Sequence, residues 1–188
     1  MSPNSWRVRL LEAADVLRIA AYWHDPAQQA DHAARGSDLT KLLPPAELAA
    51  VYAGEIGQDL RTASRVTFVI EWGGEPVANV SVMNLNTQRD TQVHCHVWRP
   101  EQRRRGIGSA VLHDVLQTIF NTCPVTTLVF EPSRHNLPIN RLVQKCGFRP
   151  VKTYRTQPSP MTRVMEVHRY EITREALRQA QAACPDAG

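Results

Sequence analysis

The sequence predicts one mixed α/β domain spanning residues 1–188. Three observations carry that expectation. Stretches with strand alternation and stretches with helical spacing follow one another along the whole chain. The length is that of about one domain, enough to bury a sizeable core. No repeat, low-complexity tract or linker divides it.

Trp6 to Leu10 alternates as a short strand, and "EAADVLRIAAYWHD", Glu12 to Asp25, carries apolar residues at helical spacing. Pro26 to Leu43 is polar and irregular and reads as a loop. Pro44 and Pro45 suit a helix start, and the helical period runs on from Ala46 to Leu60. Gly54 and Gly57 should weaken or bend that helix. Arg65 to Leu85 reads as two strands around the Gly73-Gly74 hairpin signal, and Thr91 to Trp98 as a third. A well-patterned helix follows from Gly106 to Phe120, then a strand from Thr126 to Pro132. Asn136 to Gly147 is a helix that its glycine stops, and Phe148 to Arg155 and Arg163 to Ile172 are strands. Thr173 is placed to cap a short terminal helix.

Composition removes several classes of function. The formal net charge is +4, and Arg99, Arg103, Arg104 and Arg105 concentrate in one turn. That suits a local anion site and not a face that tracks a nucleic acid. The four cysteines, Cys95, Cys123, Cys146 and Cys184, show no CxxC spacing, so neither a disulfide framework nor a zinc ribbon is expected. Polar residues and Pro3 stand where a signal peptide needs an apolar core, and no apolar run approaches membrane-spanning length. A cytoplasmic protein without membrane or nucleic-acid partners is the expectation.

The turn before the second long helix, "RRRGIGSAV", is the informative stretch. A helix N-terminus presents unpaired amide hydrogens and partial positive charge. Glycines let the backbone approach a ligand, and arginines add charge-assisted contacts to phosphate oxygens. The turn therefore reads as a pyrophosphate cradle. It is not a Walker loop, having no GK[ST] ending, and Val111 stands where a dinucleotide fingerprint needs its third glycine.

What remains is Arg-x-x-Gly-x-Gly after a strand, with Pro100 and Glu101 just before it. That order resembles the coenzyme A loop of the GNAT superfamily of N-acetyltransferases. "EPSRHNLPINRLVQKCGF" is similar to the family's next strand and helix, ending in Gly147-Phe148. The resemblance is strongest from Val66 to Val151 and closest to the aminoglycoside and siderophore-type small-molecule acyltransferases. It implies a central twisted mixed sheet of about six to seven strands, flanked by helices and splayed at the acyl-coenzyme A site.

It further implies acetyl-coenzyme A as cosubstrate and no metal. Backbone amides of Arg104, Arg105, Gly106, Ile107, Gly108 and Ser109 would hold the pyrophosphate, with the Arg103 side chain at the family's Arg/Gln position. The strand at Val97 and Trp98 would pair with the pantetheine arm, and an amide near Trp98 would meet the oxyanion. Asn136 resembles the asparagine that meets the pantetheine, although a plain N-cap reads equally well.

Acetylating an amine requires that an ammonium lose a proton, its ordinary pKa being ~10. His94 and His96 lie two apart on a strand and project from one face, and either can accept a proton near neutrality. His94 ranks first, because it falls where aminoglycoside acetyltransferases place an acidic residue facing the acceptor. Gln92, at the glutamate position of histone-type members, cannot act as a base. Val143 replaces the tyrosine that many members use as the acid for the thiolate, leaving Tyr154 and His135 as weaker candidates. The two histidines also read as a pair of metal ligands without a nearby third, and Cys95 as a strand cysteine on the opposite face.

The resemblance places the acceptor among the first helices, their loop and the last strands, which here offer Tyr22, Trp23, His24, Asp25, Asp31, Asp38 and Glu47; the aspartates of the loop could meet a cationic amine, although each reads equally as a solvated loop residue. A closed acidic pocket would mark a small-molecule amine as the acceptor. A wide shallow groove would mark a protein N-terminus or lysine. A coenzyme A-binding module without catalysis is the reading from another class. A homodimer through C-terminal edge strands is compatible with the pattern.

Overall fold

A computed structural model describes residues 5–98 and 108–183. One seven-stranded mixed sheet runs through it, in the order β1-β2-β3-β4-β5-β7-β6. The strands are β1 (Trp6–Leu10), β2 (Arg65–Trp72), β3 (Glu75–Met83), β4 (Gln92–Val97), β5 (Thr127–Phe130), β6 (Arg149–Thr156) and β7 (Met165–Thr173). The helices are α1 (Ala13–His24), α2 (Gln29–Ala34), α3 (Pro45–Ala53), α4 (Gly108–Thr122), α5 (Leu137–Lys145) and α6 (Arg174–Ala183).

The expected elements are present, with two corrections. Pro26 to Leu43 is not a plain loop: it holds a 3-10 turn at Pro26–Gln28, α2, and a second 3-10 turn at Leu39–Lys41. Asp25 and Asp38 start the two turns by accepting from the amides of Ala27 and Thr40. This local side-chain chemistry sets short helices that leave no long apolar period to read. α3 ends at Ala53, with Gly54 as its C-cap, so the helical period through Leu60 is not realised. The Thr173 hydroxyl accepts from the Ala176 amide at 3.2 Å and caps α6 as expected.

Strand alternation divides the sheet into two faces. Phe68, Ile70, Val80, Val82 and Val93 face α4, whose Leu112, Val115, Leu116 and Ile119 complete the larger core. Val69 faces the other way, into a smaller core with Ile19, Trp23, Leu48 and Tyr52 of α1 and α3. Around Val69 that second face is polar. Register places Thr67, Ser81 and His94 in one row, Val69, Asn79 and His96 in the next, and Arg65, Met83 and Gln92 on the other side. Buried polar groups need partners. Here Thr67 and Ser81 hydroxyls bond at 2.9 Å, and the Asn79 carbonyl oxygen accepts from Trp98 Nε1 at 2.7 Å.

The middle of the sheet opens. β4 and β5 run parallel and pair only at Gln92 and Val129, where the Val129 amide donates to the Thr91 carbonyl at 2.8 Å. Beyond that point the strands splay, and no described helix is long and apolar enough to cross a membrane.

Candidate active site

The splay leads to a cavity of about 270 Å³ on the polar face of the sheet. β4 forms its floor, contributing His94 and His96 from the same face, as their spacing predicts. α1 and α3 form one wall, and the start of α5 forms another.

The roof joins segments far apart in the chain. Asp38 donates its amide to the Met161 carbonyl at 2.8 Å, and Arg163 donates its amide to Gly36 at 2.9 Å. Ser37 and Thr162 form an antiparallel bridge between these contacts, and the Arg163 guanidinium donates to the Ala33 carbonyl at 2.5 Å. Gly36 is at φ +97°, and a Cβ there would stand 2.2 Å from Met165 Sδ. A glycine is therefore what lets the backbone pass beneath β7.

His94 Nε2 is enclosed and has no hydrogen-bond partner among the described residues. Burial, assisted by the Arg65 guanidinium, lowers the pKa of His94 to about 4. His96 packs at 4.8 Å from Trp23, which itself stacks on His32 at 4.7 Å. Burial, then the charge of neighbouring His94, His32, Arg35 and Arg65, holds His96 well below the ordinary histidine range. Both imidazoles are neutral at physiological pH and open to a proton, though the burial that keeps them neutral also makes them weak bases.

Asn136 precedes α5 but makes no side-chain cap bond; its side chain belongs to the cavity lining instead. The Trp98 amide donates to the Val77 carbonyl at 2.9 Å, and its carbonyl accepts from Gln28 Nε2 at 2.7 Å. The amide is thus taken within the sheet, while the carbonyl oxygen keeps a second lone pair. The Trp98–Val77 bond fixes the alternation of the β3–β4 ladder, which turns the Cys95 and Val97 amides toward the β5 side.

Gly108 and Ser109 open α4, a helix of 15 residues. Arg103, Arg104, Arg105, Gly106 and Ile107 lie outside the described residues, as does Arg99. Val143 is fully buried in the larger core, so the position of the family's tyrosine does not reach the cavity. Tyr154 donates to Glu131 from β6, and His135 is exposed; neither lines the cavity. Burial raises Cys95, Cys123 and Cys146 to about 11, which keeps the Cys95 thiol protonated and unsuited to carrying an acyl group. Among the described residues no group of three metal-ligating side chains is assembled.

The acidic residues of the first loop are occupied elsewhere. Asp25 and Asp38 start 3-10 turns, Asp31 pairs with Arg35, and Glu47 is exposed; none lines the cavity. Sequence reasoning missed Glu131, the carboxylate that does line it. Its side chain is 3 % exposed and is held by Gln92 Nε2 at 3.0 Å, by the Tyr154 hydroxyl and by Arg169 at 3.4 Å. Only its place after a buried strand marked it, and its partners come from three other strands. Sequence reasoning also passed over Arg35 and Arg65, which complete the charged lining.

Comparison with known proteins agrees with this architecture. RimJ of Mycobacterium smegmatis in complex with CoA-disulfide superposes with a TM-score of 0.76 at 16% identity, covering 97% of this chain and 90% of that one. Spermidine N-acetyltransferase of Vibrio cholerae, in complex with CoA and spermine, gives 0.73 at 16% identity over 92% and 98%. Aminoglycoside acetyltransferase AAC(6')-Ib, in complex with coenzyme A and kanamycin, gives 0.69 at 17% identity over 93% and 98%. No curated protein sequence matches the chain. The model of the acetyltransferase (GNAT) domain matches residues 28–156, well over half of the chain. With the splayed sheet and the helix opening beside it, that match shows the chain to be a member of the GNAT acetyltransferase family.

Proposed function

We propose that this chain transfers an acetyl group from acetyl-coenzyme A to the primary amine of a small molecule, by direct attack in a ternary complex. The observation that carries the small acceptor is the roofed cavity beside the β4–β5 splay. The pairing of residues 36–38 with 161–163 spans that side of the cavity and supports a small acceptor over a protein N-terminus or lysine, which would need a longer trench.

The residues present fit the cosubstrate. The N-terminus of α4, at Gly108 and Ser109, is the kind of helix start that favours a diphosphate. The flank of β4 at Val97 and the uncapped Asn136 side chain suit the pantetheine arm. The expected roles of Arg103, Arg104, Arg105, Gly106 and Ile107 complete this cradle, with the arginines adding charge to the phosphates. Acetyl-coenzyme A supplies a thioester whose carbonyl carbon the amine attacks.

The chain's own residues do the rest. His94 Nε2, neutral and without a partner, takes the proton of the incoming ammonium, with His96 behind it. The Cys95 amide, aimed toward the splay, faces the oxygen on which negative charge develops. With Val143 in the core, no tyrosine stands ready for the sulfur, so the departing thiolate collects its proton from water.

The test is release of free thiol from acetyl-coenzyme A with a panel of primary amines, for wild type and His94→Ala. Turnover on a small amine, with a rate loss of about 10²-fold or more in the variant, is expected. Full activity of the variant across pH would remove His94 from the mechanism. Failure of coenzyme A to bind in a calorimetric titration would end the acetyltransferase reading itself.

A further inference from the structure

The charge inside the cavity deepens that reading by naming the acceptor. Spermine and kanamycin, bound by two of the structural neighbours, are polycations. This cavity has the opposite character. Among the described residues its lining contains two guanidinium groups, Arg35 and Arg65, and one carboxylate, Glu131, which three donors from the protein already hold. The histidines of the lining add no positive charge while they stay neutral, and Arg is charged at every working pH.

Neither guanidinium is saturated. A guanidinium carries five donors. Arg65 on β2 meets Glu55 through Nε at 2.7 Å and lies over the Tyr52 ring at 4.5 Å, which fixes its plane at the cavity wall. Arg35, at the C-cap of α2, uses one terminal nitrogen on Asp31. Glu55 and Asp31 do not line the cavity, so the pairing carboxylates stand behind the arginines. Arg65 and Arg35 line the same cavity as His94 and His96.

Sheet geometry gives the spacing. Arg65 lies two strands from β4 and one same-face position along from the Thr67–Ser81–His94 row. With strands ~4.8 Å apart and same-face residues ~6.8 Å apart, the two Cα atoms are about 12 Å apart. An arginine side chain and a molecule a few bonds long span that gap. The remaining wall is largely apolar, with Trp23, Leu48, Met83, Phe130, Met161 and Met165. The volume of about 270 Å³ is small for a ligand pocket, which usually measures ~300–1,000 Å³.

We infer that the acceptor is an amino acid with an apolar side chain, its carboxylate held by Arg65 and Arg35 and its amine directed at His94 and the splay. This rests on the acetyltransferase reading above. Polyamines and aminoglycosides are disfavoured, because the guanidinium edges facing the cavity repel added positive charge and the lining carboxylate Glu131 is already held by its own partners.

The probes are apolar L-amino acids such as leucine, methionine and phenylalanine, each beside its carboxamide, with spermidine and kanamycin as polycationic controls. Two readouts are taken on the full chain: thiol release from acetyl-coenzyme A, and the thermal midpoint of the coenzyme A-bound protein with each probe. The second readout reports acceptor binding even where turnover is absent. The amino acids should exceed their carboxamides by about tenfold or more in kcat/KM or in binding, as loss of a charge-assisted contact predicts. Arg35→Gln should reduce that ratio several-fold while leaving KM for acetyl-coenzyme A unchanged. Arg65→Gln alone would strand a buried carboxylate and risk unfolding. It is therefore tested together with Glu55→Gln, with the same expected narrowing.

Carboxamides, spermidine or kanamycin equal to or better than the amino acids would overturn the inference. So would amino acids that neither stabilise nor turn over in a protein that binds coenzyme A. Failure of coenzyme A to bind is a separate result, which removes the acetyltransferase reading.

Discussion

Gly36→Ala tests the roof of the cavity. The residue sits at φ +97°, and its added Cβ would meet Met165 Sδ at 2.2 Å and Cε at 2.8 Å. Two costs follow, and they separate. Holding a non-glycine residue in a sparsely populated backbone region costs about 1–3 kcal/mol. The overlap with Met165 involves the far end of a flexible side chain, so it resolves by rotation of that side chain into the cavity. For a domain of this size each kcal/mol lowers the midpoint by about 2–4 °C, so thermal denaturation should show a loss of roughly 2–12 °C. Because Met165 lines the acceptor cavity and not the cradle at α4, KM for the acceptor should rise while KM for acetyl-coenzyme A stays level. Adding Met165→Ala should recover the acceptor KM but not the strain, and a double-mutant cycle reads the difference. An unchanged midpoint, or equal changes in both KM values, would refute the assignment of residues 36–38 to the acceptor roof.

Three further outcomes follow from burial and charge. His94 titrates at about 4 when folded and near 6.5 when unfolded, so its contribution is whole above about pH 6.5 and is lost as pH falls toward 4. Urea midpoints over that window should fall less steeply in His94→Gln than in wild type, and parallel curves would contradict the lowered pKa. Asn79 is fully buried and accepts from Trp98 Nε1, so Asn79→Leu should cost about 1–3 kcal/mol in urea denaturation by orphaning that donor. With their thiols held near 11, Cys95, Cys123 and Cys146 should resist iodoacetamide at neutral pH in the native protein. Peptide mapping that finds Cys95 modified at once would show an open, ionised thiol.

Much of this molecule is visible in local pattern. The strand from Thr91 to Trp98 is legible from its alternation, and the same alternation puts His94 and His96 on one face. The hairpin at Gly73-Gly74 and the Thr173 cap follow from short-range rules of the same kind. The short helices between Pro26 and Leu43 escaped, because a six-residue helix carries too little period to register. The partners of the Trp98 backbone escaped for another reason. Whether an amide is free depends on the partner strand, and here the Val77 carbonyl takes it while Gln28 donates to the carbonyl.

Sequence alone determined the order of the elements, the paired histidines and the glycine–arginine motif ahead of a helix, since each is a property of a few consecutive residues. Tertiary structure decided the character of the acceptor cavity. The aspartates expected to line it turn to local caps and to Arg35, whereas Glu131, Arg35 and Arg65 take their places. Its roof joins Arg163 to Ala33, 130 residues apart, and Lys41 to Thr162, 121 apart. Contacts of that separation arise from how the sheet stacks and where chain segments cross, and no local periodicity encodes them.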